Sequence, residues 1–275
     1  MTDAHAIANG TRPVALLMPN FEAGGAERVM IRLAQGLADA GHTVDLLVLS
    51  DHGPYRAELD PRVRVHSLQA GRAWRGIPAL VRYLRQRRPV ALLSALFHCN
   101  CLAVVARALA GTATRVVISE HNTLEFVRSL VGRTRWVVFR LGLHWAYPRA
   151  DAVVCVSEGI AQGLGAAMPR LRGRLHVIGN PVVTPELLRR SREPLNHPWL
   201  QAGQPLLILA AGRLIPAKGF DVLLAAFQQV LARLPARLVI LGHGAQQAQL
   251  QAQIDAWTAE LVAGSCPQPV REQLY

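Results

Sequence analysis

The sequence predicts an α/β fold: parallel sheets flanked by helices, in one large domain followed by part of a second. Three observations carry this. Short apolar runs alternate with amphipathic runs of helical spacing along the chain. Their connections are short, so successive strand–helix–strand units build parallel sheets. The alternation breaks at residues 184–204, where Pro185, Pro194, Pro198, Gly203 and Pro205 cluster, and resumes at Leu206.

The first strand covers residues 14–18, and a loop at 19–25 leads to a helix at 26–40, with Val29, Met30, Leu33 and Leu37 on one face and Gly41 as its αL stop. Strands follow at 44–49, nearly all apolar as for a strand buried on both faces, and at 63–67. A helix at 77–88 buries Ile77, Leu80, Val81 and Leu84. Residues 90–110 read as a strand at 90–96, a loop, and a helix at 103–109. Further strands are expected at 116–119, 152–156 and 176–178, and an Arg- and Trp-rich helix at 130–147. Ser157 is placed to cap the next helix.

The expected organisation is a tail (1–12), a Rossmann-like domain (13–184), a linker (185–204) with a short helix at 186–190, a partial second Rossmann-like domain (205–260) and an irregular tail (261–275). With 275 residues, 51% of them hydrophobic, the chain can bury a sizeable core. Its four cysteines, Cys99, Cys101, Cys155 and Cys266, lack zinc-site spacing, so no metal is expected and a reducing cytoplasm fits. Residues 1–11 have no apolar signal-peptide core, and no segment reads as a transmembrane helix. Of the net charge of +12, +10 falls within residues 13–184. Such a field attracts nucleic acid, anionic lipid or an acidic substrate.

The most informative stretch is Ala210-Ala211-Gly212-Arg213-Leu214-Ile215-Pro216-Ala217-Lys218-Gly219, between an expected buried strand (205–211) and a helix (220–234). A glycine-bearing loop before a helix N-terminus favours anions. Arg213 can grip phosphate oxygens in a fork, and Lys218 adds a point charge. Lys218 is the chain's single lysine; the other 29 basic residues are arginines.

Several motifs together resemble the GT-B glycosyltransferases of family-4 type. They are Glu22-Ala23-Gly24-Gly25-Ala26-Glu27-Arg28, Ile118-Ser119-Glu120-His121-Asn122, and Ala150-Asp151-Ala152-Val153-Val154-Cys155-Val156-Ser157-Glu158. Val177-Ile178-Gly179-Asn180-Pro181-Val182, Gly212-Arg213-x4-Lys218-Gly219-Phe220-Asp221 and Leu241-Gly242-His243-Gly244 complete the set. The resemblance implies transfer of a sugar from a nucleotide-sugar donor, with retention, to a glycan or lipid-linked acceptor. Cell-envelope or surface polysaccharide synthesis would be the setting.

It also implies roles. Arg213 and Lys218 would hold the donor diphosphate and stabilise the leaving nucleotide. Gly24 and Gly25 would let backbone approach the diphosphate, and Gly242 would form a second close-approach loop. His121 would contact the transferred sugar or its acceptor, while Asn180 would close a hinge turn. No cofactor is implied. The family's Glu-x7-Glu pair does not follow Lys218, so a truncated member is expected, with apolar faces left exposed in its second domain.

Two arginine clusters, Arg82/Arg85/Arg87/Arg88 and Arg128/Arg133/Arg135/Arg140 beside Trp136, Phe139 and Trp145, suit an anionic membrane surface. A cytoplasmic protein, peripheral at the inner face of the membrane, follows. Nucleic acid is not an expected partner, because no reader motif occurs and aromatics make up only 5%. The alternatives are a non-catalytic remnant that binds donor or partner and a Rossmann-type dinucleotide enzyme. The latter conflicts with the lack of GxGxxG in the first loop.

Overall fold

The structure is a computed structural model that describes residues 12–130 and 132–263. The chain divides into two units between Leu188 and Arg189.

The first unit holds a seven-stranded, wholly parallel sheet. Its strands are β1 (Val14–Met18), β2 (Val44–Val48), β3 (Arg64–Ser67), β4 (Ala91–Ala95), β5 (Arg115–Glu120), β6 (Ala152–Cys155) and β7 (Leu175–Val177), in the order β3-β2-β1-β4-β5-β6-β7. The order reverses direction between β1 and β4, where open α/β sheets form their ligand crevice. The helices are α1 (Gly25–Asp39), α2 (Ile77–Arg87), α3 (Phe97–Ala110), α4 (Leu124–Leu130), α5 (Arg133–Ala146) and α6 (Glu158–Ala167); the short α7 (Pro185–Arg190) contains the division between the units.

Alternation along β1 explains the two cores. Val14, Leu16 and Met18 face α1 with Leu46, Val48, Met30 and Ile31; Ala15 and Leu17 face the opposite side with Leu47, Leu80, Leu92 and Leu102. All five residues of both β1 and β2 are buried, as expected of a parallel sheet covered on both faces. Gly41 takes its αL place at φ +85°. Ser157 caps α6 by accepting the Ile160 N–H at 3.4 Å.

Helix α3 begins at Phe97, directly after β4, instead of after a loop; Leu96 makes the turn alone at φ +72°. The helix expected at 130–147 is α5, and a further short helix, α4, precedes it.

The second unit contains β8 (Leu206–Ala211), α8 (Phe220–Leu231), β9 (Ala236–Leu241) and α9 (Gln247–Ala263). Its parallel strands form a two-stranded sheet. Leu214, Phe220, Leu224, Phe227, Leu238, Ile240, Leu250 and Ile254 make one compact core. Contrary to expectation, β8 is not buried: Leu206 is 58% and Leu209 63% exposed. Ile208 and Ala210 join the core on one side of the sheet, so Leu209 points away from it to solvent, and Leu206 is exposed at the start of the strand. The exposed apolar surface expected in this unit is thus present. Residues 261–263 of the expected irregular tail are instead the end of α9, while residues 264–275 of it, and residues 1–11 of the N-terminal tail, lie outside the described residues.

Candidate active site

Arg213 and its neighbours are placed by backbone hydrogen bonds between the loops that follow β8 and β9. Gly212 N–H donates to the Leu241 carbonyl at 2.9 Å, Leu214 N–H to the His243 carbonyl at 3.0 Å, and Gln246 N–H to the Leu214 carbonyl at 3.0 Å. Leu214 is fully buried and plugs the loop into the core. Arg213 therefore stands between two anchored neighbours and is exposed. One 3₁₀ turn, Pro216–Lys218, carries the chain to Gly219, whose φ of +65° opens α8. The Lys218 stem folds back over Gly212: its Cδ is 4.0 Å from where a Gly212 Cβ would stand.

Both cations thus border the same glycine. Among the described residues neither forms an ion pair or a side-chain hydrogen bond. The first N–H groups of α8 have no side-chain cap either. Two unpaired cations beside an uncapped helix start make a site suited to a polyanion such as a diphosphate.

Gly242 sits at φ +155°, and a Cβ there would overlap the Gly212 carbonyl. A Cβ at Gly244 would stand 2.5 Å from the Leu214 carbonyl oxygen. The close approach that these glycines permit is to the loop after β8.

In the first unit, Gly24 is the N-cap of α1 in ordinary extended backbone, and a Cβ there would press on the movable Glu27 carboxylate, with Cδ at 2.8 Å. A Cβ at Gly25 would meet nothing within 4 Å. The loop they occupy is braced from β2. Phe21, fully buried, donates its N–H to the His52 carbonyl at 2.8 Å and accepts the Tyr55 N–H at 3.1 Å. Gly53, at φ +122°, lies against the Phe21 backbone. Asn180 accepts the Val182 N–H at 2.8 Å, and Arg32 holds that turn to α1 through the Pro181 and Val182 carbonyls at 3.1 and 2.6 Å.

His121 follows β5 at the C-terminal edge of the sheet, half-buried, with Nε2 3.1 Å from Ser119 Oγ. Burial holds its pKa below the ordinary 6.5, so the ring is neutral at pH 7. His121, Gly24 and Gly25 belong to the first unit, and Arg213, Lys218 and Gly242 to the second.

Sequence reasoning missed three features. Leu96, a bulky residue at φ +72°, turns the chain from β4 into α3 beside the crevice, a strain of roughly 1–3 kcal/mol. Gly53 braces the first loop. Glu120, inside a quoted motif, is 8% exposed and bonded to Asn100 and Tyr147; its charge among apolar strand positions was the available signal.

Residues 23–186 match the family model described as Glycosyltransferase Family 4. The chain belongs to this family. Residues 191–260 match the model for glycosyl transferases group 1. The two matches lie on either side of the division between the units, and the chain is a glycosyltransferase of the GT-B type.

Solved structures agree on the fold. HepE from Anabaena, in complex with UDP and glucose, is 17% identical over 96% of this chain and 69% of its own, with a TM-score of 0.66. Sucrose-phosphate synthase from Thermosynechococcus elongatus is 17% identical over 96% and 70%, with a TM-score of 0.66. The lipopolysaccharide outer core galactosyltransferase WaaB is 17% identical over 96% and 68%, with a TM-score of 0.61. No curated protein sequence matches the chain.

Among the described residues, no three His, Cys, Asp or Glu side chains are grouped so as to hold a metal ion. No helix among them is long and apolar enough to cross a membrane.

Proposed function

We propose that this glycosyltransferase binds a nucleotide-sugar donor through Arg213 and Lys218. It transfers the sugar, with retention, to a glycan or lipid-linked acceptor of cell-envelope or surface polysaccharide synthesis. The observation that carries this reading is the pair of cations bordering Gly212, unpartnered among the described residues, on a loop held by backbone bonds. As the bond from anomeric carbon to diphosphate breaks, negative charge grows on the leaving group, and fixed cations stabilise it most at that point. Two cations can supply this stabilisation without a metal or cofactor. His121 contacts the transferred sugar or acceptor, and the Gly24-Gly25 backbone approaches the diphosphate.

The test is titration with UDP-glucose. Each of R213A and K218A should weaken binding roughly 10- to 100-fold, the loss of a charge-assisted contact of about 1.5–3 kcal/mol. Unchanged affinity in the double variant would overturn the assignment. UDP-glucose binding with no transfer would instead select a donor-binding chain without turnover.

The acceptor side faces an anionic membrane, with the protein peripheral at its cytoplasmic face. Helix α5 supports this. It exposes Val137, Val138, Leu141 and Trp145 (42–69%) and has no acidic residue, while Arg133 and Arg140 lie exposed on it. Trp136 and Phe139 instead turn inward, stacked at 5.3 Å, with Phe139 against Phe97 at 3.9 Å. A pocket of about 280 Å³ between α4 and α5, lined by Leu124, Arg128, Trp136, Phe139, Arg140 and Leu143, starts three residues past His121.

A further inference from the structure

Glu120 continues the buried face of β5 set by Val116 and Ile118. A carboxyl there is expensive, and an apolar residue of similar size would fill the position more cheaply. Its surroundings are built for hydrogen bonding. Asn100 of α3, fully buried, donates from Nδ2 to Glu120 Oε1 at 2.8 Å and to the Ser119 carbonyl at 3.1 Å, and accepts from Ser94 Oγ at 2.8 Å. Tyr147, fully buried just after α5, donates its hydroxyl to the same carboxyl oxygen. Four segments, β4, α3, β5 and the turn after α5, are thereby fastened at one point of the sheet's C-terminal edge. The Ser119 held by Asn100 through its carbonyl is the residue whose Oγ meets His121 Nε2.

We propose that Glu120 is a positioning residue for His121: with Asn100 and Tyr147 it fixes the last residues of β5, and through Ser119 the place of the imidazole at the edge of the sheet. The value of that placement rests on the reading of His121 as a site residue. The titratable groups that interact with Glu120 are Tyr147, Cys101 of α3 and Cys155 of β6, and burial pushes all three up: Cys101 to about 12, Cys155 to about 11. They stay neutral at pH 7. Glu120 itself, raised to about 7 by burial against the opposing bonds from Tyr147 and Asn100, is the member of this group that ionises near neutrality.

The experiment follows the His121 Cε1–H resonance of the 275-residue chain by NMR as pH is varied. In the wild type it should show two inflections, its own below 6.5 and a second near 7. E120Q keeps an acceptor for Asn100 and Tyr147 but cannot ionise, so only the second inflection should vanish. E120L and N100A should displace the resonance at fixed pH, whereas filling of the core alone would leave it in place. A single wild-type inflection, with curves that superimpose in E120Q and N100A, would overturn the proposal. H121A separates the two claims. Unchanged UDP-glucose affinity and transfer in that variant would sink the reading of His121 and leave the positioning inference standing.

Discussion

Gly242 packs its α-carbon against the carbonyl of Gly212, with room for hydrogen only: a Cβ would overlap the oxygen and stand 3.0 Å from the carbon. The neighbouring bond from Gly212 N–H to the Leu241 carbonyl holds the same two loops together. The first unit repeats the arrangement. Gly53, on the loop after β2, lies against the loop after β1, where a Cβ would be 2.5 Å from the Glu22 nitrogen. In both units a glycine on one strand's loop lets that loop clamp its neighbour, which is the loop proposed to approach the diphosphate.

Gly242→Ala should therefore act on the donor loop without touching a ligand. Relief of the overlap requires the backbone of Gly212 to shift, an overpacking of about 1–3 kcal/mol. Displacement of Arg213 and Lys218 should weaken UDP binding at least about tenfold. Calorimetric titration checks this, and an unchanged Kd in a variant of lowered stability would show that the clamp serves the fold alone.

Gly25→Ala is the contrasting case. The added methyl meets nothing within 4 Å and φ is not positive, so stability should stay within about 0.5 kcal/mol of the wild type. If donor diphosphate approaches this backbone, UDP-glucose affinity should still fall several-fold. Equal affinity in G25A would remove the first loop from the donor site.

The contrast between Gly242 and Gly25 shows what the sequence could and could not convey. Strand alternation, the αL stop at Gly41 and the cap at Ser157 depend on local chemistry and were legible. The roles of Gly53 and Gly242 depend on a second loop distant in sequence, and nothing local reports it. Asp45 is the one charged residue of an otherwise apolar strand, and Tyr83 lies off the Ile77, Leu80, Val81 and Leu84 stripe of its helix, yet both are buried and bonded at 2.8 Å. Leu96 turns the chain without Gly, Asn or Asp, so the start of α3 gave no turn signal. The tryptophans of α5 could point inward or outward until Phe97 was in place to receive Phe139.

Asp45 yields an acid-limb prediction. Burial works to raise its pKa, but His66, Tyr83 and Arg87 together outweigh that and hold it below 3.8. A carboxylate depressed in the fold stabilises above its unfolded pKa, and the stabilisation is lost as pH falls through the folded value. Tyr83→Phe should cost about 1.5–3 kcal/mol at pH 7, the loss of a buried bond to a charged acceptor. Asp45→Asn should flatten the fall in stability below pH 3.8. Amide exchange of β1 and β2 against pH checks both, and an acid limb unaltered in D45N would exclude Asp45 as its source.

Helix α5 gives a prediction that leaves the core alone. Val138 and Leu141 are 69% and 67% exposed, so V138D and L141D should fold as the wild type does. Both should reduce binding to anionic vesicles, and the wild-type binding should weaken with salt, each arginine near the surface contributing about 1 kcal/mol at low ionic strength. Sedimentation with vesicles checks this. Equal binding to neutral and anionic lipid would remove the arginines from the membrane contact, and no binding to either would remove the membrane from the proposed function.

Glu120 predicts the opposite pH dependence from Asp45, in a separate window. Its pKa is raised from 4.5 to about 7 in the fold, so between these values the native state holds a proton that the unfolded chain releases. Stability then falls as pH rises from 4.5 to 7, by up to about 3 kcal/mol in total, and levels off above. Glu120→Gln has no proton to lose and should abolish that slope while it retains an acceptor for Asn100 and Tyr147. Relative to the wild type it should gain stability at pH 8 compared with pH 5. Urea unfolding followed by amide exchange in β5 reads the difference directly. Parallel curves for the two proteins across this range would mean that the carboxyl ionises in the fold as easily as in the unfolded chain, a result incompatible with a side chain held between Asn100 and Tyr147 away from water.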